Sequence, residues 1–118
     1  MDKQQFQKRT KQLGVRIIKM TEALPNTRAA DVVARQIIRS STSVGSNYRA
    51  ACRAKSTADM INKLKIVEEE ADETLFWLEM LIETELMTQQ KLQALHKETD
   101  EILAMTIASI KTLRKRKS

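Results

Sequence analysis

Residues 40–47 read Ser40-Ser41-Thr42-Ser43-Val44-Gly45-Ser46-Asn47. This is poor helix sequence: the hydroxyl and amide side chains compete for backbone groups, and the glycine adds entropy to be lost. Whether the chain breaks here decides the architecture. Ala30, Val33 and Ile37 before the segment share one helical phase with Val44, Tyr48 and Ala51 in and after it. The spacing therefore predicts a single continuous helix over 28–54 with a small-residue middle.

Working outward, Pro25 closes the preceding helix, because the residue before proline avoids the α region. That first helix spans 3–24, with Phe6, Thr10, Leu13, Ile17, Met20 and Leu24 inward. Asn26 and Thr27 offer N-caps for helix 2. Ser56 to Asp59 (STAD) has the form of a capping box and opens helix 3 over 57–86. Its inward row is Met60, Leu64, Val67, Ala71, Leu75, Leu78, Ile82 and Leu86. Thr88 caps helix 4 over 89–113, with Leu92, Leu95, Ile102, Thr106, Ile110 and Leu113 inward. The basic tail, 114–118, is expected to fray. Short connections between long helices favour antiparallel neighbours. The fold class is all-α: one up-down-up-down four-helix bundle over residues 1–118.

Composition agrees. The 118 residues include 2 Gly, 1 Pro and four aromatics, Phe6, Tyr48, Phe76 and Trp77. That is too few turn and aromatic residues for a sandwich or barrel. It is also too little glycine for a doubly wound sheet. One cysteine, Cys52, cannot form an internal disulfide. The polar start MDKQQFQKRTKQ has no apolar run for a signal peptide. No stretch approaches the ~20 apolar residues of a membrane span. The sequence is expected to be cytoplasmic, with no membrane partner.

Charge is segregated. Residues 1–59 hold 12 Lys/Arg against 4 Asp/Glu, giving +8; residues 60–110 hold 4 against 11, giving −7; residues 111–118 hold 5 against none. With Arg35 at zero and ~100° per residue, Arg28, Arg39, Arg49 and Arg53 all fall within about 40°. Val33, Ile37, Val44 and Ala51 lie opposite. Helix 2 thus carries an arginine stripe roughly 37 Å long at ~1.5 Å per residue. Arginines interspersed with Thr42 and Ser46 supply donors that a nucleic-acid backbone accepts. The same stripe also suits a solvated face, or pairing with a neighbour's Glu68, Glu69, Glu70, Asp72 and Glu73.

Residues 75–82 read LFWLEMLI, with Glu79 the one polar position. Against the inward row, Phe76, Trp77 and Met80 point away from the bundle centre, a position that is polar in a monomeric bundle. An outward aromatic cluster suggests a subunit interface. The alternative is that helix 3 is central and covered by helices 1 and 4.

Signatures of catalysis are missing. His96 is the single histidine, and Gln93 stands where a Glu-x-x-His di-iron motif needs Glu. Cys52 and His96 stand alone, so no zinc set forms. Gln89, Gln90 and Lys91 stand where a helical ribonuclease of the Arg-x(4–6)-His type needs its arginine. No phosphate-cradling glycine loop and no nucleophile–base pair is present. The expectation is a non-enzymatic protein with no metal and no cofactor, His96 an exposed helix residue and Cys52 a small core-flanking one.

Ile38 to Leu81 resembles a known family, the 23S rRNA intervening-sequence proteins. The family pattern runs Arg-Ser-x-x-Ser-hydrophobic-x-x-Asn, then Ser-x-x-Asp-x-x-x-Lys-Leu, then Glu-x-x-Glu-Thr-x-x-Trp-Leu. Here these are Arg39, Ser40, Ser43, Val44 and Asn47; Ser56, Asp59, Lys63 and Leu64; and Glu70, Glu73, Thr74, Trp77 and Leu78. Met60 replaces a commoner aromatic. The resemblance implies an antiparallel bundle assembled into a cyclic homopentamer, in a family with no established enzymatic activity. It also implies kinship with the basic accessory variability proteins of diversity-generating retroelements, which bind nucleic acid and a reverse transcriptase. Ser40, Ser43 and Asn47 then read as a structural motif on the flank of helix 2, with Lys63, Glu70 and Glu73 as partners.

Together these give one expectation: a homo-oligomeric accessory protein that binds RNA or DNA by phosphate contacts. Arg28, Arg35, Arg39, Arg49, Arg53, Arg114, Lys115, Arg116 and Lys117 carry the binding, and Phe76, Trp77 and Met80 form the oligomer interface. The alternative is a scaffold that docks a protein such as a reverse transcriptase.

Overall fold

The computed structural model describes residues 2–117, the last of these by its backbone alone. Four helices follow one another: α1 (Lys3–Thr21), α2 (Arg28–Cys52), α3 (Thr57–Glu83) and α4 (Gln89–Lys117). Lys3 and Phe6 of α1, Tyr48 of α2, Met60 of α3 and Arg116 of α4 meet at one end. The N-termini of α1 and α3 therefore lie with the C-termini of α2 and α4, as an up-down-up-down bundle requires. Each helix packs chiefly on its sequence neighbours, and α1 touches α4 least.

The starts are built by side-chain oxygens that accept orphan backbone N–H groups. Asp2 makes a full capping box with Gln5. Thr27 accepts from Ala30 N–H, Ser56 from Asp59 N–H and Thr88 from Lys91 N–H. Asp59 reaches back to the Lys55 N–H at 3.2 Å, one residue short of the box the sequence implied.

α2 is continuous through residues 40–47. Its hydroxyls fold back onto their own helix: Thr42 donates to the Ile38 carbonyl at 2.7 Å and Asn47 to the Ser43 carbonyl at 2.9 Å. The side chains that compete with helix formation are thereby spent within it. Buried Thr10, Thr74, Thr99 and Thr106 do the same, donating to carbonyls four residues earlier at 2.7–3.0 Å. Hence no buried side-chain polar atom among the described residues lacks a partner.

The ends differ from expectation in four places, one being helix 2, which stops at Cys52 rather than residue 54 because Arg53 and Ala54 N–H close on carbonyls three residues back. Helix 1 stops at Thr21 rather than residue 24, because Ala23 and Leu24 close tighter bonds to the carbonyls three residues back. Helix 3 stops at Glu83 rather than 86. Glu85 takes φ 61°, a left-handed position usually filled by glycine, and Met87 N–H closes on the Leu81 carbonyl at 3.1 Å. Leu81 and Met87 are therefore buried where Ile82 and Leu86 were expected. The basic tail does not fray: α4 stays helical to Lys117.

Candidate nucleic-acid interface

α2 is flanked by two unlike neighbours. On the α3 side Ser40 is fully buried, and its hydroxyl shares a 2.9 Å hydrogen bond with Thr74 Oγ1, whose own proton goes to the Glu70 carbonyl. One residue earlier Arg39 forks across the seam, to Glu70 at 2.8 Å and to Glu73. These carboxylates raise the already high guanidinium pKa further. Glu73 also accepts from Trp77 Nε1 at 3.3 Å. Arg39, Ser40, Glu70, Glu73, Thr74 and Trp77 thus form one staple between α2 and α3.

This corrects the expected pairings of the small-residue motif. Ser40 meets Thr74 rather than Lys63, Glu70 or Glu73. Ser43 and Asn47 bond within α2, and Lys63 stands 4.0 Å from Asp59 on its own helix. It also removes Arg39 from the group of available cations.

On the α1 side there is no staple. The helices approach through glycine: a Cβ on Gly45 would stand 3.1 Å from the Thr10 carbonyl and 3.2 Å from the Lys11 Cα. Gly14 faces the Thr42 methyl in the same way. Above this crossing lies a groove of about 290 Å³, with Arg49 on one bank and Lys11 on the other. Neither makes an ion pair among the described residues, and nor do Arg28 and Arg53. Arg35 is exposed but pairs with Asp31 one turn away. Lys11 was missed by sequence reading. Gly14, taken as a close-approach residue, would have placed helix 1 against Gly45 and exposed it.

The remaining predicted residues are dispersed. Arg114, Lys115 and Arg116 are exposed on the last turns of α4. The side chain of Lys117 lies outside the described residues. In the aromatic girdle only Phe76 is well exposed, at 50%. Trp77 does not point outward: it packs on the core and meets Phe76 edge-on at 5.0 Å. Its Nε1–H donates to Glu73, one turn earlier on α3. Met80 is half-buried. Cys52 flanks the core, and His96 is partly exposed, 3.5 Å from Glu79. The described residues contain no group of three His, Cys, Asp or Glu that could hold a metal.

The model of the 23S rRNA-intervening sequence protein family matches residues 2–108. The chain belongs to this family. A crystal structure of a protein of unknown function, from the S23 ribosomal protein family of Bacteroides thetaiotaomicron VPI-5482, is similar at 39% identity. The likeness covers 94% of this chain and 99% of that one, with a TM-score of 0.86. No curated protein matches. In this intervening-sequence protein part of the motif that carries the resemblance is therefore a staple between α2 and α3, while unpaired Arg49 and Lys11 lie outside it, on the α1 side. No helix among the described residues is long and apolar enough to cross a membrane.

Proposed function

We propose that this chain is a non-enzymatic, homo-oligomeric accessory protein that binds RNA or DNA through backbone phosphates. The observation that carries the reading is the unpaired set Arg28, Arg49 and Arg53 on α2, with Lys11 facing Arg49 across the glycine-floored groove. Phosphate contacts of this kind position a strand with little base readout. The 23S rRNA in the family name supports an RNA target. Exposed Phe76, at 50%, and Ile66, at 39%, on α3 support association between copies. A ring of five would repeat the cationic groove around its circumference. The proposal places the protein in the cytoplasm, with a diversity-generating retroelement and its reverse transcriptase as one setting.

A second reading is favoured by the acids of α3. Glu69 and Asp72 are exposed on the same helix as Phe76, so the α1/α2 cations could meet that surface on another copy or on a partner protein. Filter binding across a salt series, with sizing by light scattering, separates the two. Retention of RNA or DNA that falls steeply with salt supports the first reading. No retention at low salt, with assembly lost in Arg49→Glu/Arg53→Glu, supports the second.

A further inference from the structure

The α1–α4 seam is the loosest in the bundle, and one side chain bridges much of it. Arg9 donates to Glu98 at 2.7 and 2.8 Å, to Glu101 at 2.5 Å and to the Met105 sulfur at 3.3 Å. Beyond Arg9, toward the start of α1, the two helices part and leave a groove of about 540 Å³. That is within the roughly 300–1,000 Å³ typical of small-molecule sites.

The groove is mainly apolar, with Ser109 and Thr112 on its α4 wall, and is cationic at its rim. Phe6 and Tyr48 form its floor, ring edge to ring face with centroids 4.7 Å apart. Half-buried Met60 and Met105 line the walls, and thioether side chains reshape readily around a guest. Lys3 and Arg116 stand exposed at the rim, and neither is ion-paired among the described residues. Asp2, next to Lys3 in the chain, caps α1 by accepting the Gln5 N–H at 2.8 Å and makes no ion pair with either cation.

We infer that this groove binds a single-chain fatty acid, its alkyl chain along the methionine walls and its carboxylate between Lys3 and Arg116. One anionic end and a flexible apolar body match a site with two cations at one edge and an adaptable lining. A nucleobase does not match. Phe6 and Tyr48 are 6% and 7% exposed, so neither offers a free face for stacking. The site is thus separate from the cationic groove between α1 and α2.

Calorimetric titration of the full chain with decanoate, below its micelle concentration, tests this. Saturable binding of one decanoate per chain is expected, with decanol weaker by about tenfold, since two rim cations contribute about that ratio. Lys3→Glu/Arg116→Glu is expected to erase the preference. Ala108→Trp, at an exposed wall position, is expected to abolish binding with unchanged far-UV circular dichroism. No saturable binding, equal binding of decanol and decanoate, or undiminished binding by Ala108→Trp each overturns the proposal. So does binding confined to anionic phosphatidylglycerol vesicles, which assigns the cations to a membrane surface.

Discussion

The two sides of α2 carry the same residue types to different ends. On the α3 side Arg39 meets Glu70 and Glu73, and its charge is used within the chain. On the α1 side Arg49 meets glycine and Lys11, and its charge stays available. Helical repeat alone puts both arginines on one stripe. What separates them is the neighbour each finds: an acidic helix on one flank, a bare and basic one on the other. A run of arginines is therefore not a site until the facing helix is known.

The glycine side breaks most readily. Gly45→Leu would drive a side chain into the backbone of Thr10 and Lys11, and is expected to cost about 3 kcal/mol, read as a lower urea midpoint. Gly14→Ala is the contrasting case. Its new methyl would meet the movable Thr42 side chain at 3.3 Å, and alanine restores about 1 kcal/mol of helix propensity. Its stability is expected to stay within about 0.5 kcal/mol of the parent.

The staple logic extends to the α1–α4 seam, which has no glycine contact to close it. Arg9→Gln is expected to cost about 2 kcal/mol, between the values for exposed and buried pairs. Hydrogen bonds from Arg9 hold the Glu98 carboxyl below its ordinary range, against the opposing effect of burial. Its folded pKa is thus lower than its unfolded one. The stabilisation is complete above the unfolded value of about 4.3 and is lost as pH falls through the folded value. Acid unfolding of Arg9→Gln is expected to lack that component of the pH slope, which thermal melts across an acid series would read.

The α2–α3 staple gives the smallest effects and the clearest coupling. Arg39 is half exposed, so Arg39→Gln is expected to cost about 1 kcal/mol. Thr74→Val is expected to cost about 1 kcal/mol through the lost bond to Ser40. The two changes lie in one network, and their double mutant is expected to deviate from additivity by about 0.5 kcal/mol or more. Trp77 fluorescence should shift in Arg39→Gln, because Glu73 joins the arginine to the indole.

Much of the fold was legible in the sequence because the apolar rows keep one phase. Even the hydroxyl-rich middle of α2 follows it, its side chains absorbed by carbonyls of the same helix. The end of α3 was not legible: Glu85 takes a left-handed conformation with no glycine to announce it. Trp77 was placed outward by its angle on α3, but its ring packs on the core while its Nε1–H bonds Glu73 one turn earlier on the same helix. The stripe was read from one helix at a time. That could show which arginines share a face, but not that Arg39 is taken by α3 or that Lys11 adds to the α1 side.

The division of the stripe is tested most directly by measuring RNA and DNA retention over a salt series for Arg39→Gln and for Arg49→Gln/Arg53→Gln. The account predicts that Arg39→Gln binds within about twofold of the parent, with the same salt slope. It predicts that Arg49→Gln/Arg53→Gln lowers the slope by about 2 and binds far more weakly at low salt. Equal losses in the two variants, or a loss in Arg39→Gln alone, would contradict it.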